Sequence, residues 1–187
     1  KKSDYDKYLW IWEGELLKRH EALVFKDKFE VKAFVEPDNI IPYYGSDFGV
    51  EDPTTLIRCY IQDNDLYITH DSFLVGQSAD LENIVERWSE DVPGSLTHVI
   101  TADSAWKQSI LFLKNKGFKI KGAKKGPNSI IDGINYLRSF NKIYIHPRCQ
   151  HTIVEFNLYS WKIDKMSGQI QPVPEDKNNH LCGDALR

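Results

Sequence analysis

Three aspartates are the residues best placed in this sequence to do chemistry: Asp47 in YYGSDFGVEDPTT, Asp103 closing VITAD, and Asp184 in HLCGDALR. Asp47 stands inside what otherwise reads as an apolar strand, and burying an unpaired carboxylate costs several kcal/mol. Gly45 and Gly49 flank it, as if to clear the surrounding space. A divalent cation is the partner that would offset that cost. Carboxylates crowded together repel one another, so a cluster is stable mainly when cations neutralise it. Hard oxygen ligands suit Mg²⁺ or Mn²⁺. Two such ions about 3.5–4 Å apart are a recurrent device for phosphodiester hydrolysis.

Each aspartate also has a plainer reading. Asp103 precedes a helical stretch and could serve as its cap. Asp184 could be an exposed helix acid, and Asp52, before Pro53, reads as a turn residue. Other chemistries fit less well. HPRCQH offers His146, Cys149 and His151, and HLC adds His180 and Cys182, but H-x-x-C-x-H matches no common structural zinc spacing. GAKKGPNS lacks the G-K-[ST] ending of a phosphate-binding loop, and no G-x-G-x-x-G occurs.

The elements that must position these acids follow from pattern. Alternation over 23–34 suggests a strand, and 41–48, 55–62 and 66–74 read as three more, joined by connections rich in Asp, Asn, Pro and Gly. Residues 78–89 show a helical apolar face made of Leu81, Ile84, Val85 and Trp88. The β-branched run 97–103 ends at Asp103, where open α/β sheets place their ligands. A helix over 105–116 closing at Gly117, a short strand over 118–121, a helix over 129–139, a strand over 142–147 and a helix over 149–158 follow. Residues 159–174 alternate around a Ser-Gly turn, as a β-hairpin does, and NNHLCGDALR reads as an Asn-capped helix start. Three meandering strands followed by alternating helices and strands give an α/β fold, a mixed sheet flanked by helices.

Composition sets bounds on function. With 187 residues, 41% hydrophobic and 12% aromatic, the chain can bury one substantial core. No apolar run approaches the ~20 residues of a membrane span, so no membrane partner is expected. Three scattered cysteines without a CxxC pair point to a reducing compartment. The net charge is −3, yet Lys114, Lys116, Lys119, Lys121, Lys124 and Lys125 fall within twelve residues. The chain starts at Lys1, which suggests a piece of a longer protein; residues 1–22 read as a linker or arm and 23–187 as the domain.

In combination, YYGSDFGVEDPTT, VITADSA, AKKGPNSIIDGINYL, EFNLYSWKID and PEDKNNHLCGDALR resemble the nuclease domain of tailed-phage terminase large subunits. The resemblance implies a ribonuclease-H-like fold with an appended hairpin. It also implies metal-dependent endonuclease activity on double-stranded viral concatemers, using two Mg²⁺ or Mn²⁺ ions. By position the family's catalytic, metal-holding acids fall on Asp47, Asp103 and Asp184. A histidine commonly precedes the last acid by three residues; His180 precedes Asp184 by four, which still shares one helix face. His180 and Lys124 are therefore accessory candidates. Lys124, Lys125 and, on the hairpin, Lys162 are candidates for backbone phosphates. The implied partners are DNA, an ATPase domain in the same full-length chain, the portal protein and the terminase small subunit. The implied setting is the host cytoplasm, with transient docking on the procapsid. The alternative is a non-catalytic or recombinase/resolvase-type DNA-binding domain of the same fold.

Overall fold

The computed structural model describes residues 20–49, 51–124, 126–164, 166–177 and 179–186. Most of the expected arm, and Lys125 of the candidate phosphate contacts, lie outside these residues. Seven strands form one mixed sheet: β1 (Phe29–Val31), β2 (Tyr43–Asp47), β3 (Thr54–Gln62), β4 (Asp65–Leu74), β5 (Val99–Ala102), β6 (Lys119–Gly122) and β7 (Ile143–Ile145). Their spatial order is β1-β7-β4-β3-β2-β5-β6. β2, β3 and β4 form the antiparallel meander that the sequence suggests, whereas β5 runs parallel to β2, β6 to β5, and β7 to both β4 and β1. The carboxyl ends of β2 and β5, the start of β3 and the end of β4 therefore share one edge of the sheet.

Local chemistry explains most boundaries. Asp63 and Asn64 both take positive φ (53° and 62°), the requirement of a two-residue type I′ hairpin between β3 and β4. Helix α1 (Leu81–Asp91) is capped by Asp80, which accepts hydrogen bonds from the Glu82 and Asn83 amides. Helix α2 (Lys107–Asn115) ends in a Schellman arrangement: Gly117 takes φ 99°, its amide reaches the Lys114 carbonyl, and the Phe118 amide reaches that of Leu113. Helices α3 (Ser129–Ser139) and α4 (Gln150–Leu158) complete the layers. Strands β8 (Trp161–Ile163) and β9 (Ile170–Pro174) form a separate hairpin.

The sheet is buried on both faces. Leu56, Leu74, Ile84, Trp88, Ile100 and Leu113 pack on the α1/α2 side. Ile57, Ile68, Leu137, Ile145, Phe156 and Leu181 pack on the α3/α4 side, with Trp161 partly buried against them. The expected strand over 23–34 is cut short: 24–28 are turns, held in place by Phe25 stacked on Phe156 at 4.6 Å. No helix among the described residues is long and apolar enough to cross a membrane.

Candidate active site

Asp47 is the last residue of β2, not its middle, and the difference matters. At the strand end its carboxylate reaches the sheet edge while remaining only 16% exposed. Asp103 follows the end of β5, the parallel neighbour of β2, where Ser46 pairs with Ala102. Asp184 belongs to the terminal turn, His180–Ala185, which is a π-helix rather than the expected α-helix. All three aspartates line one cleft of about 500 Å³, between the β5–β2–β3 face and α3. Ser46, with its buried hydroxyl unpartnered, lines it too. A second cavity of about 370 Å³ shares Asp47 and Asp184 and adds Asp52, Asp176, Lys177, Asn179 and His180.

The flanking glycines do something other than clear room for a cation. A Cβ on Gly45 would stand 1.7 Å from the Ala185 carbonyl oxygen, so Gly45 lets the terminal turn lie directly on β2. A Cβ on Gly49 would meet the Asp52 carbonyl oxygen at 2.1 Å, so Gly49 permits the tight bend after the strand. Gly45 thereby brings Asp184 to Asp47 through the backbone.

The π-turn accommodates the four-residue spacing between His180 and Asp184, which line one cavity. The Asp184 amide bonds the Asn179 carbonyl (2.7 Å) and the Leu186 amide that of Leu181 (2.9 Å), five residues back in each case. Such a wide turn brings residues four apart onto one face and is frequent at functional sites. His180 Nδ1 accordingly stands 3.7 Å from Asp47 Oδ2. The Asp47 carboxylate raises the imidazole's pKa above its usual value, against the opposing effect of burial. Asn179, expected as a cap, makes no side-chain cap bond; its Nδ2 donates to Asp184 Oδ2 at 3.0 Å and so orients that acid. Buried Glu155 accepts the Leu181 amide at 2.8 Å, and Thr55 Oγ1 donates to the His180 carbonyl, fixing the turn from two sides. Asp103 keeps part of its plainer role, since its Oδ1 accepts the Ala105 amide at 3.0 Å just ahead of α2.

The chemistry of the set suits a hard divalent cation: three carboxylates, one face, with Lys121 as the cation lining the larger cleft. No three His, Cys, Asp or Glu side chains among the described residues are gathered into a ready-made ligand set. Drawing the carboxylates closer costs like-charge repulsion, which a bound cation would offset.

The other candidates are placed elsewhere. Lys124 is exposed on the β6–α3 loop, and neither it nor Lys162 lines these cavities. The zinc spacing does not converge: Cys149 is buried against the Ile68 carbonyl, His151 stacks on Phe73 at 4.4 Å, and His146 faces Arg148. Lys121, Asn179 and Glu155 were not legible as site residues. Only their position on the folded edge gives them a role.

Comparison with known proteins agrees with the fold. The terminase large subunit of Bacillus phage SPP1 is 33% identical over 147 residues, 76% of this chain and 34% of the relative. The PBSX phage terminase large subunit of Bacillus subtilis (strain 168) is 25% identical over 130 residues, 68% of this chain and 29% of the relative. This chain thus spans about a third of those proteins. The large terminase nuclease domain of bacteriophage SPP1, solved with bound Mn, superposes with a TM-score of 0.70 at 26% identity, covering 83% of this chain and 91% of that one. The P22 large terminase nuclease domain gives 0.64 at 17% identity, covering 82% and 81%, and supports the fold alone. Residues 47–187 match the family described as Terminase RNAseH like domain, and the chain belongs to that family.

Proposed function

We propose that this chain is a divalent-metal-dependent endonuclease that cuts double-stranded viral concatemers during genome packaging. One observation carries the reading: Asp47, Asp103 and Asp184, from three distant segments, line a single cleft at the active edge of the sheet. The Mn bound by the SPP1 nuclease domain supports a divalent cofactor. Asp47, Asp103 and Asp184 would hold two Mg²⁺ or Mn²⁺ ions, which supply an activated water and stabilise the leaving oxygen. The protein's part is positional. Gly45 admits the turn that carries Asp184, Asn179 orients its carboxylate, and His180 steadies Asp47. Lys121 within the cleft and Lys124 and Lys162 outside it contact backbone phosphates without reading sequence, as does Lys125, which lies outside the described residues. An ATPase domain in the same full-length chain, the portal and the small subunit are the proposed partners, in the host cytoplasm.

The test is nicking or linearisation of supercoiled plasmid by the purified domain with Mg²⁺ or Mn²⁺, stopped by EDTA. Asp103→Asn should abolish cutting with the fold intact. A wild-type domain that binds DNA but never cuts it with either ion would favour the non-catalytic or recombinase-type reading instead.

A further inference from the structure

A second charged feature lies beyond the aspartates, past the end of β7. That strand is short: it stops opposite Ile68, so β4 continues past it from Thr69 to Leu74 and leaves a notch. The notch, about 270 Å³, is lined by His70, Phe73, Arg87, Asp91, Arg148 and His151, among others. Its two arginines differ in their partners. Arg87 is tied to Asp91 at 2.9 Å and Glu90 at 3.6 Å. Arg148 is exposed and forms no ion pair with a carboxylate among the described residues; its hydrogen bonds go to histidines. Nη1 donates to His70 Nε2 at 2.7 Å and Nε to His146 Nδ1 at 2.9 Å, while Nη2 stands 3.1 Å from His146 Nε2.

Those imidazoles hold the guanidinium without neutralising it. Burial and then Arg148 itself push the His70 pKa down to about 4, and the same two causes lower that of His146. The tautomer of His70 follows from its neighbours. Its Nε2 accepts from Arg148, so Nδ1 carries the proton toward Thr69 Oγ1, at 3.1 Å. Thr69 also accepts from Arg58, whose charge is met by Glu36 at 2.6 Å. Glu36, the acid beside these histidines, is thus engaged with Arg58, and Asp71 in the notch wall accepts from Thr152. A guanidinium carries five N–H donors in a rigid fork, which matches phosphate geometry. Here two neutral rings fix its orientation while its charge stays available to solvent.

We propose that Arg148, set in this notch, is a backbone-phosphate contact for the duplex cut at the aspartate edge. The notch opens on the edge that carries Asp47: Phe73 pairs with Thr55, which pairs with Asp47. β7 stands three strand spacings from β2, roughly 14 Å. His70, which holds Arg148, pairs with Arg58 and through it with Tyr44, three residues before Asp47, so the contact also lies back from the strand end that carries Asp47. The inference rests on the nuclease reading for its substrate, but it concerns binding alone.

The test is duplex binding by the purified domain in EDTA, followed by fluorescence anisotropy of a labelled 30-base-pair DNA at several salt concentrations. One phosphate contact contributes about 0.9 to the slope of log K against log[salt]. Arg148→Ala should lower the slope by about one and weaken binding about eightfold at 0.1 M salt, while Arg148→Lys keeps the slope. In the wild-type protein, the guanidinium N–H resonances of Arg148 should shift when duplex is added, a readout that needs no variant to fold. An unchanged slope in a folded Arg148→Ala protein, or unmoved Arg148 resonances, would overturn the proposal and leave Arg148 as a tie between β4 and the β7–α4 loop. Failure of the wild-type domain to bind duplex at all would instead sink the nuclease reading.

Discussion

Asp47 and Asp71 are both aspartates of the central sheet, on strands separated by β3, and the fold treats them in opposite ways. Asp71 is spent on structure: its Oδ2 accepts the Thr152 amide at 2.9 Å and the Thr152 hydroxyl at 2.7 Å, tying β4 to the first turn of α4. Burial raises its pKa, and the two Thr152 bonds work against that rise. Among the described residues Asp47 meets His180 at 3.7 Å, and it opens into two cavities. A carboxylate oxygen that accepts two short bonds from its own chain is committed to structure. One that is half-buried and loosely met is available to a cation. The difference separates an acid committed to structure from one open to a ligand more sharply than burial does.

The comparison breaks most visibly if the two acids exchange phenotypes on substitution. Asp47→Asn should reduce plasmid cleavage by three orders of magnitude or more (about 4 kcal/mol of transition-state stabilisation) while leaving the melting temperature unchanged or slightly raised. Asp71→Ala should do the reverse, costing about 1–2 kcal/mol in urea denaturation through the lost α4 cap and leaving divalent-ion affinity intact. Equal effects of the two substitutions on cleavage and stability would erase the distinction.

Gly45→Ala probes the backbone contact that brings the acids together. Its added methyl collides with the Ala185 carbonyl, so the terminal turn must shift. The expected cost is about 1–3 kcal/mol of stability, with a loss of cleavage beyond what unfolding explains. Normal cleavage by a folded Gly45→Ala protein would show that Asp184 does not need the close approach to β2.

These contrasts also show how far the sequence could be read. The meander, the parallel strands after it, α3 over Ser129–Ser139 and the Gly117 stop were all legible, because turn residues and periodicity act locally. The choice of Asp47, Asp103 and Asp184 came from composition and spacing together with the family resemblance, and the fold brings all three to one cleft. Three things were not legible. The π-turn depends on Gly45 receiving Ala185 across the fold, a contact invisible in either segment alone. The strand assigned to 23–34 gave way to turns because Phe25 is drawn onto Phe156. Asn179 looked like a cap, yet its amide goes to Asp184. Each miss replaces a local rule with a tertiary contact.

The two histidines at the ends of the comparison should sharpen it by pH, with smaller effects. His70 has a folded pKa of about 4, below its ordinary 6.5. The unfolded chain therefore binds more protons between those values, and His70 lowers stability as pH falls from 6.5 toward 4. His180 is shifted upward, so its contribution is present at low pH and lost as pH rises through its folded value. Urea midpoints measured from pH 4 to 8 in EDTA should lose the acid-side decline in His70→Gln. They should lose the alkaline-side decline in His180→Gln. Identical pH profiles for the two variants would contradict both assignments.

The central claim is that Asp47, Asp103 and Asp184 together take divalent cations. Crystals of the domain soaked in Mn²⁺ and measured for anomalous scattering test it most directly. Peaks within ligand distance of all three carboxylates, lost in Asp103→Asn crystals, are the predicted result. Manganese bound elsewhere, with the three aspartates turned away from it or from one another, would contradict the account.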